Sequence, residues 1–311
     1  TTCHFAYLKI ADGCQKQCSY CIIPKIRGKL KSRSQEEILQ EFDSLLSLGV
    51  FEIILVAQDL GDFGKDRKEK KALISLVQKM LATKKNFWLR LLYLYPESID
   101  EDLLSLMKSD PRICPYFDLP MQHVNSRILS LMKRPSSKQK ILEIIDKIRS
   151  FFPDLSLRTS LMVGFPSETE REFTELCRFV EEAKLDQVGI FRFSKEKEAL
   201  AATLPGQIPE SVKKKREQVL ASIQWGVVQE KNRQMIGKTT LALVEKLHPA
   251  SPYIAIARSQ MHAPEVDGSI LINDIEPIEA FGKVYPVEIT GFADYDLIGK
   301  VALGKKVGKK R

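Results

Sequence analysis

Phe5-Ala-Tyr-Leu-Lys-Ile-Ala-Asp-Gly-Cys14-Gln-Lys-Gln-Cys18-Ser-Tyr20-Cys21-Ile-Ile-Pro-Lys-Ile-Arg-Gly28 is the stretch that decides how the chain folds. Phe5 to Ala11 reads as a strand, and the Cys-x3-Cys-x2-Cys run falls in the loop directly after it. Three thiolates are one too few to close a tetrahedral zinc site and one too few to satisfy all four irons of a cubane cluster. A cubane held this way keeps one iron open to a small molecule. The other reading is a zinc site completed by a distant residue such as His123 or Cys114, although a structural zinc clip usually pairs two local couples.

Strand-like and helix-like segments alternate outward from this loop to about residue 193. The strands expected after the first are Glu52 to Ala57, Trp88 to Leu94, Tyr116 to Met121, Leu155 to Val163 and Gln187 to Phe193. Between them the pattern predicts helices opened by Ser34-x-x-Glu37, Ser98-x-x-Glu101 and Ser167-x-x-Glu170, with Gly49 closing the first. Further helices are expected near 70–84, 125–133 and 137–151. The fold class is therefore α/β, with a parallel sheet and helices packed outside it. Six units are too few to close an eight-stranded barrel, so an open partial (βα)6 barrel is expected, with its ligand site at the carboxyl ends of the strands.

A charged helix is expected from Pro209 to about 235, followed by five short strands between Leu241 and Ala302 separated by Pro, Gly and Asp turns. These predict a small all-β barrel. The expected domains are 1–235, 236–303 and a basic tail at 304–311. The chain has 311 residues, 44% of them hydrophobic, and six cysteines, which is too few for a disulfide framework at this size. No apolar run approaches a membrane span, and a cytoplasmic protein is expected. The formal charge of +8 is uneven: residues 236–303 carry five basic and nine acidic side chains, while the last eight residues carry five basic ones and no acidic one.

The Tyr7 to Gly28 segment resembles the cluster loop of the radical S-adenosylmethionine (SAM) methylthiotransferases. Similar matches follow at Ala57-Gln58-Asp59, at Phe117 to His123, and at Arg158 to Thr169. Ala263 to Gly268 and Asp294 to Gly299 resemble the TRAM domain of the RimO branch. The resemblance implies a radical SAM partial barrel followed by a TRAM barrel, with Cys14, Cys18 and Cys21 holding a 4Fe-4S cluster whose open iron chelates SAM. It further implies that Tyr20 lies against the cofactor, that Gln58 and Asp59 receive the methionine amino group, and that Ser160 and Gly164 line the ribose and adenine. Asp59 could equally cap a turn, and Gly164 could serve only to bend the chain. Gln122 and His123 read either as substrate contacts or as a buried, hydrogen-bonded pair.

For the RimO branch, the implied reaction inserts a methylthio group at the β-carbon of an aspartate in ribosomal protein S12 of the small subunit, with a reducing electron donor as a further partner. A MiaB-like tRNA adenosine methylthiotransferase is the alternative, and a zinc-clipped binding module is a third. A barrel of net charge −4 suits a basic ribosomal protein better than a phosphate backbone. The family also carries an N-terminal domain with a second three-cysteine cluster. This sequence begins just before the first barrel strand, so that domain is expected to be lacking and the full reaction by this chain alone to be in doubt.

Overall fold

A computed structural model describes residues 4–302. The basic tail at 304–311 and Cys3 lie outside the described residues. The chain divides into two compact units, one ending at Val227 and the other starting at Val228.

The first unit is built on six parallel strands. β1 (Phe5–Lys9) leads through a short ribbon, β2 (Ala11–Asp12) paired with β3 (Lys31–Ser32), that brackets the cysteine loop and helix α1 (Ile23–Arg27). Then come α2 (Gln35–Ser47), β4 (Glu52–Val56), α3 (Ala72–Leu81), β5 (Trp88–Leu91), α4 (Glu101–Ser109), β6 (Tyr116–Asp118), α5 (Ser126–Leu131), α6 (Lys138–Phe151), β7 (Ser156–Val163), α7 (Glu170–Ala183) and β8 (Gln187–Arg192). β4 pairs with β1 and β5, and β7 pairs with β6 and β8, all in parallel. A Leu89–Ile113 bridge and a 3.0 Å bond from Leu94 N to Asp118 O join the two halves between β5 and β6. Among the described residues no ladder returns from β8 to β1, so the barrel is open.

Burial explains the order. Trp88 to Leu91 are buried throughout, as are Glu52 to Leu55, because a parallel strand is covered on both faces. The helices contribute single apolar stripes, Ile38, Phe42 and Leu46 on α2 and Ile141, Ile145 and Ile148 on α6. Each such side chain contributes roughly 1.5–3 kcal/mol when fully buried. Inside the sheet, Arg90 Nε meets Glu52 Oε1 at 2.6 Å, and both side chains are fully buried.

The helix ends show where local signals held. Ser34 and Glu37 form the expected capping box. At the other end Gly49, at φ +86°, donates to Leu46 O, and Val50 donates to Leu45 O, a Schellman closure. The other two expected boxes are corrected. Ser98 lies in a 3-10 turn, and Asp100 caps α4 by accepting from Leu103 N. α7 is capped by Thr169 with Glu172, two residues beyond Ser167 and Glu170, because Ser167 sits at φ +65° inside the preceding turn.

Helix α8 (Glu210–Met235) carries a buried stripe of mostly polar residues, Lys213, Arg216, Leu220 and Gln224. Their polar ends meet the loops at the ends of β8, β7 and α7: Lys213 Nζ donates to Phe193 O, Arg216 to Glu168, and Gln224 Nε2 to Leu185 O. That is why its sequence reads as charged although one face is covered.

The second unit is a closed five-stranded barrel in the order β10-β11-β13-β12-β9. The strands are β9 (Thr239–His248), β10 (Ser251–Ser259), β11 (Ile270–Ile272), β12 (Lys283–Ala293) and β13 (Asp296–Val301). Small and β-branched residues fill it, among them Ala242, Val244, Ala255, Ile270 and Val287. A Cβ on Gly299 would lie 2.6 Å from Val287 Cγ1, so that strand contact needs glycine.

Candidate functional site

The cysteine loop is held by its backbone. Gly13 has φ +72°, and a Cβ there would lie 2.2 Å from Lys29 O. Cys14 N donates to Gly28 O at 3.1 Å, and Cys21 N donates to Cys18 O at 3.1 Å, making a tight turn. Ser19, which is buried, is the main anchor. Its N–H donates to Met132 O, its Oγ to Leu131 O at 2.7 Å, and its carbonyl accepts from Ala201 N.

Cys14, Cys18 and Cys21 are each half-buried, whereas Cys114 and Cys177 are buried. Backbone N–H groups aim at two of the sulfurs, Lys16 N at Cys14 Sγ and Ile23 N at Cys21 Sγ, both at 3.4 Å. Burial pushes the Cys14 and Cys21 thiols up, and these N–H groups pull them partly back. A compensating positive charge, such as iron, favours the thiolates. Among the described residues no three His, Cys, Asp or Glu side chains converge as they would on one metal ion. A cubane does not ask this of them, since each thiolate binds a different iron.

The zinc reading needed His123 or Cys114 as a fourth ligand. Both are fully buried. His123 Nδ1 accepts from Asn125 N at 2.9 Å, which places the ring proton on Nε2, facing Glu168 Oε1 at 3.2 Å. Both ring nitrogens are thus used inside the protein.

Tyr20 packs against the cluster of Ile128, Met132, Phe165, Phe193 and Ala201, so it ties the cysteine loop to the end of β7. Burial raises its phenol well above the usual range. Gln58 is half-buried at the end of β4. Its Nε2 reaches Asp12 Oδ1 at 3.5 Å, and its Oε1 is buried without a hydrogen bond. Asp59 is buried and engaged: Oδ1 accepts from Gly61 N at 2.9 Å and Tyr95 N at 3.3 Å, and Oδ2 pairs with Lys16 Nζ at 2.7 Å.

Ser160 is half-buried on β7, and its carbonyl accepts from Gln122 N at 2.8 Å. Gly164 has φ +71°, and a Cβ would lie 2.3 Å from Lys213 Cγ. Its N–H donates to Glu168 Oε2 at 2.6 Å, and the same oxygen accepts from Arg216 Nη1 at 2.6 Å. The cysteine loop, Tyr20, Gln58 and Asp59 gather at the carboxyl ends of β1 and β4, and Tyr20 links them to the Ser160–Gly164 segment.

Sequence reading missed Ser19, Lys16, Tyr95, Arg134 and Glu168. Tyr95 and Arg134 each precede a proline, which marks the end of an element but says nothing of a partner.

The radical SAM superfamily model matches residues 8–180, and a TRAM domain model matches residues 236–302. The chain is 53% identical over 300 residues to the ribosomal protein uS12 methylthiotransferase RimO of Protochlamydia amoebophila, covering 96% of this chain and 63% of that one. It is 48% identical to the protein of the same name from Chlamydia abortus, spanning 65% of its length, and 43% identical to that of Thermodesulfovibrio yellowstonii, spanning 69%. Among solved structures, coproporphyrinogen III oxidase HemN from Escherichia coli matches at TM-score 0.50 and 19% identity, over 75% of this chain and 54% of that one. The radical SAM methyltransferase TsrM from Kitasatospora setae matches at TM-score 0.51 and 17% identity, over 60% and 35%. At these identities the two structures support the fold alone.

Proposed function

The chain belongs to the radical SAM superfamily and, within it, to the family of the uS12 methylthiotransferases; on that premise we propose that Cys14, Cys18 and Cys21 hold a 4Fe-4S cluster beside which SAM binds, in the service of methylthiolating an aspartate β-carbon of ribosomal protein uS12. The observation that carries this reading is the loop itself: three half-buried thiols, two met by backbone N–H groups, at the carboxyl ends of the barrel strands. When bound, the reduced cluster and SAM supply a carbon-centred radical able to remove hydrogen from an unactivated carbon.

The chain's own residues divide the remaining work. Gln58 offers its unpaired Oε1 to the amino group of SAM, and Asp59 keeps that rim in place by capping the turn and holding Lys16. Tyr20 and the apolar cluster around it exclude water from the cofactor, while Ser160 and the Gly164 turn line the ribose and adenine. Residues 1–235 act as the catalytic module. The acidic barrel of 236–303 docks the basic ribosomal protein in the cytoplasm, and an external donor supplies the electron. No helix among the described residues is long and apolar enough to cross a membrane.

Iron, sulfide and zinc counts after anaerobic reconstitution test the cluster assignment. About four irons and four sulfides per chain are expected, with loss of both in Cys14→Ala, Cys18→Ala and Cys21→Ala. Zinc in place of iron overturns the assignment.

A further inference from the structure

Tyr95 lies just past β5, and its phenol oxygen is 3.8 Å from Cys18 Sγ. The ring carries two cations. Lys16 Nζ stands 3.8 Å and the Arg134 guanidinium carbon 3.9 Å from its centroid. Lys16 is fixed from behind by Asp59 at 2.7 Å and Asp62 at 3.6 Å. Arg134 is only 4% exposed, and one of its nitrogens donates to Pro120 O. Its Nε and Nη1 are buried and make no hydrogen bond.

A purely structural tyrosine accounts poorly for this arrangement. Phenylalanine would fill the same space, and a guanidinium with two unsatisfied nitrogens is costly to keep out of water. The arrangement fits an electrostatic task. Cations over an aromatic face draw electron density from the ring and make its O–H a stronger donor. A tyrosine phenol carries its proton at neutral pH. Beside a metal-bound sulfur, which has no proton to give, that hydroxyl can only donate.

We propose that Tyr95 is a positioning residue for the cluster, donating its O–H to the Cys18 sulfur while Arg134 and Lys16 polarise its ring, and that this unit makes the cluster easier to reduce. The inference rests on the assignment of the three cysteines to a cluster. One-electron reduction adds a negative charge to a thiolate-ligated cubane. A donor to a sulfur and the buried Arg134 cation disperse that charge, which raises the reduction potential, whereas the charge of Lys16 is offset by Asp59 and Asp62.

The test is an EPR-monitored redox titration of the anaerobically reconstituted full chain without SAM, for wild type, Tyr95→Phe, Arg134→Gln and Arg134→Lys. Tyr95→Phe is expected to keep wild-type iron and sulfide content and to shift the midpoint to more negative potential. Arg134→Gln should shift it in the same direction by less, and Arg134→Lys should restore most of the difference. Pulsed EPR after exchange into D2O should show one deuteron coupling to the reduced wild-type cluster that Tyr95→Phe lacks, with the couplings of the Lys16 and Ile23 amides unchanged. A fully loaded Tyr95→Phe with the wild-type midpoint overturns the inference. So does a Tyr95→Phe chain that folds, by circular dichroism, but takes up no cluster, since that hydroxyl would then hold the cluster and not tune it. A wild-type chain that takes up no iron and sulfide overturns the cysteine assignment itself, and this inference with it.

Discussion

Gly13 shows how narrowly the cysteine loop is defined. It combines a left-handed backbone with a carbonyl 2.2 Å from where a Cβ would sit. Gly13→Ala therefore costs more than the roughly 1–2 kcal/mol of a left-handed alanine alone. The strain falls on the turn that presents Cys14, so iron uptake after reconstitution should fall along with the thermal midpoint. A Gly13→Ala chain that loads like wild type would show that the loop can shift away from Lys29. Glu172 gives a residue-scale prediction in pH. The Arg127 guanidinium holds its carboxyl at about 2, below the ordinary value of 4.5. A depressed folded value means that the contribution is whole above pH 4.5 and lost as pH falls towards 2. Glu172→Gln should lower the thermal midpoint near neutral pH and flatten its fall across that window. The three cysteines and Tyr20 could be grouped from the sequence because they lie within eight residues. The Tyr95–Cys18 contact spans 77 positions and the Arg134–Tyr95 contact 39, and only the strand order brings such pairs together.

At the scale of elements, hydrophobic period and turn residues were enough for all six parallel strands and for the five of the small barrel. The capping signals were less decisive. Ser167-Glu168-Thr169-Glu170-Arg171-Glu172 contains two overlapping boxes, and a local pattern cannot choose between them. The fold chooses by holding Ser167 at positive φ and using its carbonyl to accept from Arg127. Thr169→Ala should therefore cost about 1 kcal/mol of stability in denaturant unfolding, and Ser167→Ala clearly less. The reverse ranking would put the helix start two residues earlier. Helix α8 was read only as a charged helix. Its buried stripe is invisible to a hydrophobic pattern because Lys213, Arg216 and Gln224 bury aliphatic stems and spend their polar ends on Phe193, Glu168 and Leu185.

For the whole molecule, the parallel half-barrel fixes where chemistry can occur. The thiols, Gln58, Tyr20 and the Gly164 turn all fall at the carboxyl ends of its strands, as expected for this class of fold. The charge asymmetry was legible in the sequence, but what the acidic barrel docks depends on the surface of a partner. The central claim is that one three-cysteine cluster in this chain acts on SAM. It is tested most directly by following 5'-deoxyadenosine release from SAM by the reduced, anaerobically reconstituted chain, beside Cys14→Ala, Cys18→Ala and Cys21→Ala. The account predicts release by the wild type and none above background from any of the three variants. Release that persists in a variant, or none from a wild-type chain carrying four irons, would contradict it.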